Sequence, residues 1–478
     1  MLLNVDTYLT KISQFSALER RAVTSLATLY SFRMLGLFMI LPVLALEVSG
    51  YPDFSPWLLG LTLGIYGLTQ AMLQIPLGLL SDRIGRRPVV VGGLVVFIIG
   101  SLLAANADSL IGILFGRALQ GMGAIASTLM AMVTDFTEEK NRTKAMAAIG
   151  GSIGISFMLA MMVGPLVVSY AGLSGVFWLS ATLGVLGIVV VLVTLPKAVT
   201  KTKNRETQAD TKQLLSLLKD ANLMRLNIGI FALHFALMAC FLVIPDILSN
   251  ELQIPATEHW WVYLALLGGG FFIMLPPLVI AERRGSQKTS FIIAIACMAL
   301  SMAVLSIGRN PWLTPILLLV FFSGFNLLEA VLPSWMSKMC PVGSRGTAMG
   351  VYSTSQFLGT FFGGLMGGLS VEYAGADGLF VLLAMVLLGW LIVSIGLQTP
   401  RALHTYVVNS GGVEQQDFAK RMLNIAGVED ILVVEGEQLA YVRVDRKIID
   451  LASIEPYLNS RTTGEHHGAW HQQSDHCG

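Results

Sequence analysis

Twelve apolar stretches, each near the length of a membrane-crossing helix, follow one another through residues 1–399. A helix needs about 20 mainly apolar residues to cross the hydrocarbon of a bilayer. The stretches lie at roughly 22–46, 57–80, 88–105, 110–134, 145–170, 174–196, 223–249, 260–280, 289–308, 312–338, 346–370 and 378–398. The chain is 54% hydrophobic and only 13% charged, where soluble domains carry about 25% charged residues. Most of it therefore has no water to face. The pattern predicts an all-α membrane protein with twelve transmembrane helices, whose solvent is the lipid bilayer.

The same composition excludes other classes. Thirty-one basic and 30 acidic residues leave a net charge of +1, so nothing points to nucleic acid as a partner. The four cysteines, Cys240, Cys297, Cys340 and Cys477, form no CxxC, which argues against a disulfide framework or a metal site. The first twenty residues are mixed polar, so the first apolar stretch is expected to serve as the insertion signal. There is no P-loop, no nucleophile–base set and no sign of a cofactor. The chain does not read as an enzyme, and ATP drive is disfavoured.

A polar linker, 197–222, rich in Lys, Thr, Gln and Asp, divides the twelve stretches six and six. It contains an expected amphipathic helix near Gln213–Lys219. The expected units are an N-terminal six-helix bundle over 1–196 and a C-terminal one over 223–399. Loop charge sets the orientation. One set of loops carries Arg20 and Arg21, Arg83, Arg86 and Arg87, Lys140, Arg142 and Lys144, Lys197 to Arg205, Arg283, Arg284 and Lys288, Lys338, Arg345 and Arg401. The alternate loops carry Asp53, Asp108, Glu251, Glu258, Glu372 and Asp377, with Arg309 their one clear base. Both termini are expected in the cytoplasm, which requires an even number of spans.

After Arg401 the composition becomes that of a soluble domain. His404–Asn409, Val428–Glu435 and Leu439–Val444 read as strands; Val413–Leu423 and Lys447–Tyr457 read as short amphipathic helices. The order β-α-β-β-α is most of a ferredoxin-like unit. A small α+β domain is expected over 400–460, followed by a disordered tail, 461–478. The tail holds His466, His467, His471, His476 and Cys477, read as chance company and not as a metal site.

The stretch Gly78-Leu-Leu-Ser-Asp82-Arg83-Ile-Gly85-Arg86-Arg87-Pro88 reads as a short, tightly turned loop at a membrane surface. Its pattern, G-x-L-x-D-R-x-G-R-R, resembles the loop between helices 2 and 3 of the major facilitator superfamily of transporters. Pro277-Leu-Val-Ile-Ala-Glu282-Arg283-Arg284-Gly285 repeats the acid–base–glycine order after the eighth stretch, as expected if the halves are degenerate copies. Arg117-Ala-Leu-Gln120-Gly121-Met-Gly123 resembles the family's R-x-x-Q-G-x-G signature. Gly164-Pro165 resembles part of its antiporter motif, with Ala160 and Val168-Ser169 standing where glycines are usual. Arg33-Met-Leu-Gly36, Gly64 to Gln70, and Gly346 to Gly359 are similar to a bacterial inner-membrane branch that carries a ferredoxin-like domain after helix 12.

The resemblance implies two six-helix bundles in the major facilitator fold, a bacterial inner-membrane location and a gate at the loop between helices 2 and 3. In the family, the loop acid holds the outward-facing state by meeting the N-terminus of helix 11. Carried over, Asp82 would meet Gly346 and Thr347, and Arg86 would pair with Asp135 at the end of helix 4. Gly78, Arg83, Gly85 and Arg87 complete that gate.

Other candidates come from the cost of burying charge in hydrocarbon, roughly 2.5–3.5 kcal/mol on insertion scales. Glu329 lies mid-segment, one turn from Asn326. It is the leading proton carrier, because burial disfavours its charged form. The plainer reading is a structural carboxylate bonded to Asn326. His234 is a second candidate, against the commoner case of a satisfied core histidine. Arg33 and Arg117 read as cavity cations that tune a carboxylate, or as a buried pair and a snorkelling side chain. Tyr66, Gln70 and Gln74 form one polar stripe, lining a cavity or joining helices; Gln120 accompanies Arg117. The expected function is secondary active transport, with export of a small molecule against proton influx by alternating access. The alternatives are uptake, or a transceptor whose C-terminal domain senses a ligand.

Overall fold

The computed structural model describes residues 15–137, 139–196, 216–341, 344–400, 403–409, 415–433, 439–445, 448–449, 453 and 457. The linker over 197–215, most of the expected helix Lys447–Tyr457 and the tail 461–478 lie outside these residues. Of the expected amphipathic helix near Gln213–Lys219, 216–219 is described and helical.

Twelve membrane helices are present among the described residues. They are α1 (Ala17–Phe38), α2 (Pro56–Ile84), α3 (Arg86–Ala105), α4 (Leu110–Phe136), α5 and α6 (together Glu139–Val189), α7 (Ala221–Asp246), α8 (Ala256–Arg284), α9 (Gln287–Ile307), α10 (Leu313–Met339), and α11 and α12 (together Arg345–Ile395). By length and apolarity, nine helical stretches among the described residues could cross a membrane. Two of these, 51 and 50 residues long, are each a pair of helices, and α1 is not among the nine. Helix α1 carries Glu19, Arg20, Arg21 and Arg33. Its start is fixed by a capping box, in which Ser16 and Glu19 each accept the other's backbone N–H.

Single glycines make the tightest turns. Gly172 divides α5 from α6 at φ 64°, ψ −173°, and Gly375 divides α11 from α12 at φ 64°, ψ −165°. Only glycine adopts that conformation without strain. The surrounding sequences are Tyr170-Ala-Gly172-Leu-Ser-Gly175 and Tyr373-Ala-Gly375-Ala-Asp-Gly378, one motif repeated 203 residues apart in numbering. The loop expected over Gly78–Pro88 is also a one-residue turn. Helix α2 continues through Ile84, Gly85 turns at φ 101°, and α3 begins at Arg86. One glycine supplies the whole reversal, so the charged residues stay on helix and at helical spacing.

The face with the acidic loops is closed between the halves. Helix α11 lies between α2 and α7, and its glycines make this possible. A Cβ at Gly359 or Gly363 would strike the Phe231 or Phe235 carbonyl of α7. On the adjoining face, a Cβ at Gly364 would strike Gly60, and one at Gly368 would strike Pro56 and Trp57, all on α2. Small residues let backbones approach where close packing, and not the exclusion of water, holds helices together. The start of α8 also packs on α5, and Leu44–Glu47 packs on α7. At the same face Asp53 receives the N–H groups of Leu110 and Ile111, each at 2.9 Å, and so caps α4. Those bonds from Ile111 and Leu110 hold its carboxyl below the usual range.

The small domain contains β1 (Leu403–Asn409), α13 (Gln415–Leu423), β2 (Val428–Val433) and β3 (Leu439–Asp445). The sheet order is β1-β3-β2, with β3 antiparallel to both neighbours. Strands β1 and β2 thus run parallel on either side of β3, joined by α13, as in a split β-α-β unit. Val408, Phe418, Met422, Ala440, Val442 and Val444 form its core. Arg443 points to the other side of β3 and donates to Cys340 O at 2.9 Å and Lys338 O at 2.7 Å, the carbonyls ending α10.

Candidate transport site

Two polar clusters lie within the bundle, one in each half. In the N-terminal half, Arg33 of α1 donates through Nη1 to Gly123 O at 2.5 Å, and through Nη2 to Tyr66 Oη at 3.0 Å and Gln70 Oε1 at 2.7 Å. Gln70 Nε2 donates to Gln74 Oε1 at 3.2 Å, so the stripe on α2 is one connected chain. Helix α4 is interrupted at 123–125, which frees the Gly123 carbonyl for Arg33. The glycines of the R-x-x-Q-G-x-G signature have a packing reason. A side chain at Gly121 would strike Tyr66 and Thr69 of α2, and one at Gly123 would strike Gly93 of α3.

Arg117 is fully buried. Its Nη1 donates to Gln120 Oε1 at 2.9 Å, and Gln120 Nε2 donates to Ser101 Oγ at 2.8 Å. The guanidinium lies 5.0 Å from the Tyr66 ring centre, an attraction worth about 2 kcal/mol when desolvated. Its Nε and Nη2 have no hydrogen-bond partner among the described residues. Arg117 does not snorkel. Among the described residues no carboxylate forms an ion pair with Arg33 or Arg117, so neither has the nearby acid that the sequence reading gave it.

In the C-terminal half the structure brings His234 and Glu329 together. His234 Nε2 lies 3.9 Å from Glu329 Oε2, with side-chain exposures of 8% and 37%. Glu329 is thus only partly buried, while its Oε2 is itself buried and has no hydrogen bond among the described residues. His234 Nδ1 is 3.3 Å from Ile230 O, and its Nε2 is 2.8 Å from Gln356 Nε2 of α11. Tyr352, one turn from Gln356, is buried, and its hydroxyl has no partner among the described residues. Asn326 does not serve Glu329. It donates to Leu267 O of α8 at 3.2 Å, because its position on α10 faces α8 across the small Gly270.

The two halves meet beside this second cluster. Phe38 and Phe157 of the N-terminal half are in edge contact at 4.8 Å; Phe157 lies 6.3 Å from Phe325 of α10, and Phe325 lies 6.1 Å from His234. The histidine–carboxylate pair therefore stands next to the seam that must part if the closed face opens.

The expected gate residues surround Arg86. Its guanidinium pairs with Asp82, lies 3.2 Å from Asp135 Oδ2 through Nε, and donates to Ser81 Oγ at 2.7 Å. Arg87 donates to Leu195 O, and Arg83 is exposed. Gly78 faces Ser127 of α4. Gly346 and Thr347 at the start of α11 have no bond to Asp82. The carboxylate that the family resemblance assigns to them is turned to Arg86.

Ser101, Gln356 and Tyr352 are not singled out by the sequence, and Gly123 is marked there only as part of the R-x-x-Q-G-x-G signature and not as the acceptor for Arg33. Gln356 and Tyr352 fall within the Gly346–Gly359 run, but no spacing links them to His234 more than a hundred residues away.

Residues 26–363 match the family model of the Major Facilitator Superfamily, and a second match covers 226–411. The chain belongs to the major facilitator superfamily. It is a multi-pass membrane transporter, from a family of transporters and not of enzymes. Residues 410–460 match the YajR YAM domain. The inner membrane transport protein YajR of Escherichia coli (strain K12) is 42% identical over 440 residues, covering 91% of this chain and 97% of that protein. The multidrug resistance protein MdtH of Aeromonas salmonicida (strain A449) is 23% identical over 347 residues, 72% of this chain and 86% of that one. Among solved structures, a mutant of the nucleoside transporter NupG superposes with a TM-score of 0.62 at 14% identity, over 78% of this chain and 99% of that one. That likeness speaks for the major facilitator fold alone.

Proposed function

We propose that this superfamily member exports a small molecule in exchange for protons, by alternating access, across a bacterial inner membrane. The observation that carries the reading is the His234–Glu329 pair at 3.9 Å, standing beside the seam between the halves. An ionisable pair held at membrane depth is costly unless it has a task. A proton taken up there discharges Glu329, and its loss restores the charge, so each protonation state favours a different arrangement of α7, α10 and α11. A ligand, here a proton, shifts such an equilibrium only through its different affinity for the two states.

Export is favoured over uptake by kinship, because MdtH is named for multidrug resistance. Orientation rests on loop charge: the Lys- and Arg-rich loops face the cytoplasm, with both termini and the small domain. On that reading the closed acidic-loop face is periplasmic, and the conformation is inward-facing. Arg33, Arg117, Tyr66, Gln70, Gln74 and Gln120 then form the N-terminal wall of the path, and Glu329 with His234 the coupling site. The arrangement Asp82–Arg86–Asp135 is the released form of the gate on the opposite face.

The alternative of a transceptor draws on one contact. Arg443 ties the small domain to the end of α10, a few residues before α11 begins. Purified protein in liposomes, with an imposed pH gradient and a panel of candidate cargoes, tests the leading reading. Cargo flux that follows the gradient supports it, and flux indifferent to the gradient overturns proton coupling. Removing residues 401–478 separates the alternatives, since a sensor loses its output while an exporter keeps its flux.

A further inference from the structure

Helix α2 has a serine at its N-cap position, Ser55, whose side chain makes no cap bond. A helix start leaves backbone N–H groups without intrahelical partners. At α2 the missing cap comes from the other half of the molecule. Glu372, near the far end of α11, accepts the Trp57 N–H through Oε2 at 3.1 Å. Close by, Gly368 brings α11 against the backbone of Pro56 and Trp57. Glu372 can therefore reach this helix start only while the acidic-loop face is closed.

The opposite end of the same helix pair is the mirror case. Helix α11 also begins after a serine, Ser344, whose side chain makes no cap bond to the helix and turns instead to Pro341 O. Among the described residues no side chain accepts from Gly346 or Thr347, and Asp82 near the end of α2 is held by Arg86. The helices are antiparallel, and each carries its acid at nearly the same distance from its own start. Asp82 is 26 residues beyond Pro56, and Glu372 is 27 beyond Arg345. Each offers the partner an uncapped N-terminus at one end and a carboxylate at the other.

We infer that Glu372 is a positioning residue of the transport cycle. It caps α2 across the interface and so latches the acidic-loop face shut, as the counterpart of the Asp82 gate at the other face. Its carboxylate meets the positive end of the α2 dipole. One acid is engaged in each end state, and opening one face releases its acid while closing the other engages the second. The inference rests on the alternating-access reading and on no assumption about cargo or protons.

The test uses full-length protein in liposomes without cargo. Cys240, Cys297, Cys340 and Cys477 are replaced by Ser, and spin labels are placed at Tyr170→Cys and Trp312→Cys. These side chains are 90% and 83% exposed at the acidic-loop face, one in each half. Pulsed dipolar spectroscopy then reads the populations of short and long distances. A carboxylate at an exposed helix N-terminus is worth about a twofold to fivefold change in an equilibrium. Glu372→Ala is expected to raise the open population by that factor, Glu372→Gln by less, and Glu372→Asp least. Asp82→Asn is expected to move the populations the other way, and the double variant to return near the parent. A Glu372→Ala distribution equal to the parent's, while Asp82→Asn still shifts it, overturns the latch and leaves alternating access standing. Equal distributions in all variants overturn both. A rise in the open population that is as large in Glu372→Asp as in Glu372→Ala, with a lowered melting temperature in both, marks a structural role only and also overturns the proposal.

Discussion

At the scale of single residues, the C-terminal pair asks the sharpest question. Glu329 has one oxygen near His234 and no hydrogen bond at Oε2 among the described residues. A structural carboxylate would be expected to bond its neighbours, and Glu329→Gln would keep such bonds at nearly the same volume. If Glu329 carries the proton, Glu329→Gln abolishes the dependence of flux on an imposed pH gradient, with a loss of tenfold or more and cargo binding largely kept. Transport assays in liposomes at several gradients, with binding measured separately, decide this, and an unchanged gradient dependence rejects the carrier role. Glu329, His234, Arg33 and Arg117 were legible in the sequence because a charged side chain in an apolar run is expensive wherever the helix turns. Their partners were not legible. His234 meets Glu329 and Gln356 only after α7, α10 and α11 are packed, and Asn326, the obvious partner by spacing, faces α8.

At the scale of elements, turns and seams are set by glycine. Gly172 and Gly375 both stand near φ 64° with an extended ψ, a region that costs other residues about 1–3 kcal/mol. Gly172→Ala and Gly375→Ala are each expected to lower stability by that amount, while Gly150→Ala, at a helical position with open space around it, is not. Thermal melts of the purified variants check this, and equal melting temperatures for all three would refute the strained turn. The repeat Tyr-Ala-Gly-x-x-Gly was present in the sequence at both places, yet short repeats carry little weight until two backbones take the same unusual shape. Likewise Gly359, Gly363, Gly364, Gly367 and Gly368 lie close together in the sequence. Only packing shows that Gly359, Gly363 and Gly367 serve α7 while Gly364 and Gly368 serve α2. The charged stretch after Gly78 reads as a loop in the sequence but is helical up to a turn at Gly85, because a helix that continues through polar residues at a membrane surface has the composition of a loop.

At the scale of the whole molecule, two expectations remain to be measured. If the basic loops face the cytoplasm, a membrane-impermeant thiol reagent applied to intact cells labels Ser49→Cys and not Ser286→Cys, in a background without native cysteines; the reverse pattern would invert the topology. The small domain is tied to the bundle by Arg443, whose bonds to two carbonyls at the end of α10 are each worth about 1.5–3 kcal/mol. Arg443→Ala is expected to free the domain while both parts stay folded. Hydrogen exchange should rise at 338–341 and along β3, and protection equal to the parent's would show that the dock lies elsewhere. The sequence alone determined the number of helices, the division six and six, the small α+β domain and the costly residues, because each follows from local composition and from the price of burying charge or unpaired backbone. Which face is closed, which acid caps which helix, and which histidine meets which carboxylate were decided only by tertiary structure. Those contacts join residues dozens to hundreds of positions apart, and their energies differ by too little for any local pattern to record the choice.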